Sequence, residues 1–130
     1  MAKIETLDLR RDGSWQVHQI HSMIGRVLPL VCKAGQRHIV IMGGYGLVDS
    51  GKPERPKTSV PWSDITIVDT LTMKTKVAIK HTDFEFKYPL SAAYIGKGQV
   101  IFLCYNWRDG IDCLAKYTLQ TNMIDIVATY

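Results

Sequence analysis

Residues 38–46 read His-Ile-Val-Ile-Met-Gly-Gly-Tyr-Gly, an unbroken apolar run that ends abruptly on glycines. Such a run is typical of a β-strand that is covered on both faces. The glycines favour a bend directly after the strand, because glycine adopts backbone angles that other residues avoid. Two more apolar runs follow at residues 64–69 and 76–79, on either side of a short polar turn. The segment 36–77 therefore predicts a strand, a bend, a long connection and two further strands of an antiparallel meander.

The rest of the chain repeats this alternation of strands and turns. Asp12-Gly13 has the chemistry of a tight hairpin turn, and β-branched or apolar runs recur between turns that contain glycine. No stretch keeps the period of an amphipathic helix. The insert at residues 47–62 contains three prolines, which predicts a long loop. We therefore predict an all-β fold with about ten antiparallel strands in four-stranded meanders.

An internal repeat groups these strands into units of four. Gly35 and Gly96 lie 61 residues apart at the start of the unit. Ile79 and Val127 lie 48 residues apart at its end, and the difference of 13 is the insert at 47–62. A repeating four-strand meander of roughly 45 to 60 residues is the sequence mark of a β-propeller blade. The predicted units are the end of one blade at residues 1–20, a second blade at 26–80 and a third at 87–129.

Particular residues of this repeat resemble the kelch-repeat family of β-propellers. They are Arg26, Gly43-Gly44, Trp62-Ser63-Asp64, Asp69, and Trp15 seven residues after Asp8. The chain has Val68 and Lys76 where family repeats usually carry Tyr and Trp, and Cys104-Tyr105 replaces the last glycine pair. The resemblance implies a partial kelch-type propeller that serves as a protein-interaction module. Trp15 and Trp62 are expected in the core between blades.

The composition is that of an ordinary soluble globular chain. Of the 130 residues, 46% are hydrophobic and 22% are charged, and the net charge is +4. The 16 Lys and Arg residues are spread along the sequence, which argues against a nucleic-acid partner. No apolar run approaches the roughly 18 residues of a membrane span, and the N-terminus lacks the apolar core of a signal peptide. We therefore expect a cytoplasmic protein that binds neither nucleic acid nor a membrane.

The three cysteines predict neither a disulfide framework nor a zinc site. Their number is odd, no CxxC spacing occurs, and the four histidines are too dispersed for a metal constellation. Cys104 and Cys113 lie at equal distances from residues 108–109, where a hairpin turn is predicted. We expect these two thiols to face each other across the hairpin and to remain reduced.

No catalytic arrangement stands out in the sequence. Ser63 and Ser91 lack a GxSxG context, and residues 43–46 are followed by neither a helix nor GK[ST]. Asp8 and Asp69 each begin a strand-to-strand turn, where Asp bonds its own backbone, and this interpretation is preferred over a catalytic one. The prediction is a protein that is not an enzyme, with no catalytic residues, no metal and no cofactor.

The loops at one end of the blades form the predicted binding surface for a protein partner. In a four-stranded meander, the second-to-third and the fourth-to-first connections emerge on the same face. Exposed Trp, Tyr and Arg on such loops are the residue types of interaction hot spots. The predicted partner-binding residues are Tyr45, Arg55, Lys57, Asn106, Trp107 and Arg108. The insert at 47–62 has an alternative interpretation as a solvated loop without a function.

Two further questions stay open at this point. The chain is alternatively a fragment of a kelch-like enzyme or sugar-binding propeller whose active residues lie on blades outside it. Propellers close with about four to eight blades, and this chain supplies two and a half. We expect either further blades in a longer protein, or self-association or a partner that covers the open flanks.

Overall fold

The computed structural model of this protein describes residues 2–7, 15–20 and 26–130. Strands make up 64% of the structure and its sheets are antiparallel, with no helix in these ranges, which confirms the prediction of an all-β fold. Within the same ranges, no helix is long and apolar enough to cross a membrane. Asp8 and the predicted turn at Asp12-Gly13 lie outside the described residues.

Thirteen strands form four antiparallel sheets in the described part of the chain. They are β1 (Ala2–Leu7), β2 (Trp15–Ile20), β3 (Leu30–Ala34), β4 (His38–Met42), β5 (Tyr45–Lys52), β6 (Arg55–Pro61), β7 (Ile65–Asp69), β8 (Lys74–Ile79), β9 (Phe84–Glu85), β10 (Ala93–Gly96), β11 (Gln99–Asn106), β12 (Ile111–Thr118) and β13 (Met123–Thr129). The sheet orders are β1-β2, β3-β4-β7-β8, β5-β6 and β10-β11-β12-β13, with β9 beside β11. Groups of two, four and four strands were predicted. The strands β5, β6 and β9 were not predicted. None of these four sheets closes on itself.

The insert at residues 47–62 is a β-hairpin and not the long loop that its prolines predict. Its strands pair from Tyr45 opposite Pro61 out to a turn at Pro53 and Glu54. Proline is tolerated on β6 because this strand pairs only with β5 among the described strands, so half of its backbone groups need no sheet partner. The hairpin leaves the sheet between β4 and β7, which pair directly with each other.

The two larger sheets share one hydrophobic core. Burial alternates along β3, β11 and β12, so that one face of each sheet is enclosed. Strand β3 lies against β10 and β11, and the rings of Phe86 and Phe102 meet with their centroids 5.5 Å apart. The core includes Leu30, Val40, Met42, Ile65, Val100, Phe102 and Tyr117. Burial of each such side chain stabilises the fold by roughly 1.5 to 3 kcal/mol, so packing between the sheets is a main source of stability.

Trp15 does not lie in a core, contrary to the prediction. Its side chain is 64% exposed. Strand β2 pairs only with β1 in the described part of the chain, and a two-stranded sheet offers too little surface to enclose an indole ring.

Cys104 and Cys113 face each other across the β11–β12 hairpin, as predicted. They are direct partners in the strand register, both are fully buried, and their Sγ atoms lie 3.4 Å apart. Burial, reinforced by the neighbouring Cys113, raises the pKa of Cys104 above that of an ordinary thiol. The thiolate is the reactive form of cysteine, so Cys104 should be unreactive in the folded protein, and Cys113 is equally shielded from solvent.

Thiol titration tests the cysteine chemistry. In denaturant without reductant we expect three titratable thiols per chain, and a count of one would show that Cys104 and Cys113 are joined in a disulfide. In the native state these two thiols should react far more slowly with a thiol reagent than in denaturant, because both side chains are fully buried and out of reach of the reagent. Equal rates in the two states would contradict the buried placement of the pair.

Candidate functional site

A buried ion pair lies beneath the end of the sheets that carries the connections 43–64, 80–92 and 106–110, here called the loop face. Nη1 of Arg26 lies 2.6 Å from Oδ1 of Asp64, and Nη2 donates to Oδ2 at 3.0 Å. The two side chains are only 5% and 10% exposed. Arg26 also donates to the carbonyl of Gly43 at 2.8 Å, and Thr66 donates to Asp64 at 3.0 Å. The pair therefore ties the bend after β4 to the entry of β7.

Glycine is required where this bend passes under aromatic side chains. Gly43 has a φ of 57°, and a Cβ atom there would lie 2.8 Å from the carbonyl oxygen of Trp62 and 2.7 Å from the ring of Phe86. A Cβ atom on Gly46 would overlap the indole nitrogen of Trp62. The glycines thus serve close packing, which supports the structural interpretation of residues 43–46 over a phosphate-binding one.

The connection 80–92 joins the loops of the two larger sheets. The backbone N–H of Thr82 donates to the carbonyl of Ser63 at 2.9 Å, next to the start of β7. The N–H of Trp107 donates to the carbonyl of Asp83 at 2.9 Å, at the tip of the β11–β12 hairpin. Strand β9 pairs with the last two residues of β11 between these two points. The bend, the connection and the hairpin tip therefore form one continuous strip.

Tyr45 is attached to this strip through its hydroxyl group. Its Oη donates to Oε1 of Glu85 on β9 at 3.4 Å. Burial, followed by the negative charge of Glu85, raises the pKa of Tyr45. The phenol is therefore a donor to Glu85, and this hydrogen bond ties the start of β5 to β9.

Asn106 holds the hairpin tip together and is not positioned to contact a partner. The residue is 3% exposed. Its Nδ2 donates to Oδ2 of Asp109 at 2.9 Å, its Oδ1 accepts from the N–H of Arg108 at 3.0 Å, and its carbonyl accepts from Gly110 at 2.8 Å. The structure therefore gives Asn106 a supporting place beneath the predicted binding surface.

Trp107 and Arg108 stand at the exposed tip, as a binding role requires. The side chain of Trp107 is 43% exposed, and Arg108 forms an exposed ion pair with Asp83. A recess of about 420 Å³ lies beside the tip. Its lining includes Asp83, Phe84, Arg108, Asp109, Ile124 and Asp125.

Arg55 and Lys57 lie away from this strip, on the outer strand of the β5–β6 hairpin. Lys57 is opposite Asp49, four positions from Tyr45, which places it about 13 Å along the strand. Its Nζ lies 2.6 Å from Oδ1 of Asp49, so its charge is already paired. Arg55 is further out and exposed. The six predicted residues thus divide into a strip around the tip and a separate hairpin.

Two acidic residues of the strip, Asp83 and Glu85, were not among the predicted site residues. The sequence does carry a signal for them, since Asp83-Phe84-Glu85-Phe86 alternates polar and aromatic residues as a half-buried strand does. Because this segment is only four residues long, it was predicted to be part of a connection between strands. Among the described residues, no group of three or more His, Cys, Asp and Glu side chains is placed to hold a metal ion.

Comparison with protein-family models, curated proteins and solved structures finds no match for this chain. The resemblance to kelch repeats therefore stays a prediction from the sequence, and the site is argued from its geometry.

Asp69 is a turn residue, as predicted. Its Oδ1 accepts from the N–H of Leu71 at 2.9 Å, and its carbonyl accepts from Met73 at 2.7 Å. Nε of Arg37 donates to both carboxylate oxygens, at 3.0 and 2.9 Å. The hydrogen bond from Arg37 lowers the pKa of Asp69 to about 2.

Replacement of Asp69 by Asn tests this assignment. The folded-state pKa lies below the ordinary value near 4, so ionised Asp69 favours the folded state above about pH 4, and this contribution is lost as the pH falls towards 2. Asp69→Asn keeps the acceptor for Leu71 but cannot ionise. Urea unfolding at several pH values should show the two proteins converging in stability between pH 4 and 2. A constant difference over that range would contradict the assignment.

Replacement of Arg26 tests the role of the buried ion pair. Arg26→Ala leaves the Asp64 carboxylate buried without its cation and should lower the free energy of unfolding by about 3 kcal/mol or more. Lys57→Ala is the matched control, because it breaks the exposed pair with Asp49 and exposed pairs contribute little. Urea unfolding measures both. Equal effects of the two substitutions would show that the Arg26–Asp64 pair does not hold the bend.

Proposed function

We propose that this protein is a protein-interaction module of kelch-repeat type. In this proposal its four-stranded sheets are successive blades of a partial β-propeller, and a partner protein binds the loop face. Two sheets that each contain a run of four antiparallel strands, packed through one core, support the assignment of blades.

The observation that carries the binding proposal is the exposure of Trp107 on a braced hairpin tip. Indole side chains are over-represented among the residues that dominate binding energy, and one that is 43% exposed has area left to bury. The tip is held by three hydrogen bonds to Asn106 and by the N–H of Trp107 on Asp83. The conformational entropy lost by this loop when a partner binds is therefore small.

The charges around the tip indicate the character of the partner surface. Arg108 is paired with Asp83, and the recess beside them also contains Asp109 and Asp125. Mixed charges around a central aromatic side chain match the anatomy of transient interfaces, where a polar rim surrounds an apolar centre. The partner is then a folded surface with an apolar pocket for Trp107 and polar groups around it. The β5–β6 hairpin extends the same face without adding unpaired charge at Lys57.

The sheet that ends with β13 also supports the expectation that further blades or another chain cover the open flank. Ile126, Val127 and Tyr130, on and directly after β13, are exposed apolar side chains at the edge of the sheet. Further blades or a second copy of the chain would bury them. The alternative of an enzyme or sugar-binding fragment places its active residues on blades outside this chain, so the loop-face geometry does not bear on it.

Site-specific crosslinking tests the proposed function. A photo-reactive phenylalanine derivative at position 107 keeps an aromatic ring at the tip and should crosslink a defined protein in a cell extract. The matched control carries the same group at Leu71, which is 76% exposed in the β7–β8 turn at the opposite end of the sheet. With the crosslinked protein purified, Trp107→Ala should weaken binding about tenfold or more, and Arg108→Ala should also weaken it.

The two substitutions should leave the urea midpoint nearly unchanged, because loop tips carry few core contacts. Unfolding of both variants would show that these residues are structural. Equally efficient crosslinking of one and the same protein from positions 107 and 71, or unchanged affinity of Trp107→Ala, would contradict binding through the loop face.

A further inference from the structure

A groove of about 510 Å³ lies at the opposite end of the two larger sheets, where the core between them reaches solvent. One wall comes from β7 and β8, and the other from the turn between β12 and β13. Ile67 and Leu119 form an apolar floor, half-buried and packed against the core. We call this the seam groove, and its lining includes His38, Ile67, Asp69, Lys74, Lys76 and Leu119.

The rim of the seam groove is positively charged. Lys74 and Lys76 are exposed, and neither forms an ion pair with another described residue. Among the described residues of the lining, Asp69 is the single carboxylate, and Nη2 of Arg37 lies 2.7 Å from its Oδ2. The acid inside the groove is thus neutralised by an arginine, while the two lysine charges remain available.

The two lysines lie on an open strand edge. Strand β8 is the outermost strand of its sheet, with β7 as its only neighbour among the described strands. Lys74 and Lys76 are opposite Asp69 and Ile67, so they share the groove side of β8 and are about 6.6 Å apart. Nδ2 of Asn122 donates to the carbonyl of Ala78 at 2.7 Å and occupies the end of the edge. Lys74 and Lys76 lie before this point on β8.

We propose that the seam groove binds an extended acidic segment of a partner protein. Acidic side chains at alternate positions of an extended peptide have the spacing of Lys74 and Lys76, because successive side chains on a strand point to opposite faces. An apolar side chain on the same face would reach the floor formed by Ile67 and Leu119. A peptide that lies extended in the groove alongside β8 would pass both lysine side chains.

The charge pattern favours this occupant over two others. A second copy that paired through β8 would bring lysine opposite lysine, which destabilises a cross-strand pair. A nucleic acid would be drawn to the same charge, but none of the described residues that line the groove is Trp, Tyr or Phe, so no ring is present for base stacking. Lysines on an edge also keep strands from aggregating, and that role alone requires no ligand.

Fluorescence anisotropy with a labelled peptide distinguishes binding of an acidic segment from a purely protective role of the two lysines. The probe contains Glu-Thr-Glu-Thr-Leu, which places both acids and the leucine on one face of an extended chain. Its control, Glu-Glu-Thr-Thr-Leu, has the same composition with the two acids on opposite faces. The first should bind at least several-fold more tightly than the second. Lys74→Gln with Lys76→Gln should weaken binding of the first about fivefold or more.

A second double variant, Lys33→Gln with Lys80→Gln, makes the same change in net charge at exposed positions outside the groove. It should bind the probe like the unmodified protein. Equal binding of the two peptides, equal losses in the two double variants, or equally tight binding of a single-stranded oligonucleotide would each overturn the proposal. The experiment does not involve Trp107, so its failure and a failure of the loop-face proposal are distinguishable.

Discussion

The buried pair of Arg26 and Asp64 is the constraint on which the rest of the structure depends. A buried ion pair contributes little net stability by itself, because desolvation of both charges offsets their attraction. Its effect is on the path of the chain. The guanidinium of Arg26 binds Asp64 and the carbonyl of Gly43 at the same time. The chain can therefore leave the sheet after β4, form the β5–β6 hairpin and return as β7, which pairs with β4. The pair thus fixes the two points at which the chain leaves the sheet and returns to it.

The strand topology also makes the connections at the two ends of the sheets different. At the loop face the connections are long and cross from one sheet to the other, so that residues 82–86 bring Tyr45 and the hairpin tip into one strip. At the opposite end the turns are short and closed by local hydrogen bonds, as at Asp69. Positive charge lies there on the edge strand β8, where Lys74 and Lys76 face the groove.

The sequence allowed much of the fold to be predicted, and less of the site. Strands with alternating burial, the Asp69 turn and the facing cysteines follow from local patterns of two to ten residues. The β5–β6 hairpin was missed because prolines normally exclude a strand, and only a hairpin outside the main sheet tolerates them. Asn106 was assigned to the binding surface. An Asn in a turn, however, often uses its side chain for hydrogen bonds within its own hairpin, as Asn106 does. The seam groove joins Lys76 to Leu119 across two sheets, and no local pattern encodes that contact.

The two proposed surfaces are independent for a physical reason. Strand β11 runs from the groove end to the loop face, and its eight residues span about 25 Å. Groups farther apart than roughly 10 Å without shared partners contribute additively. Between them lies the shared hydrophobic core of the two larger sheets. If both proposals hold, occupation of one end should therefore leave the affinity of the other end unchanged.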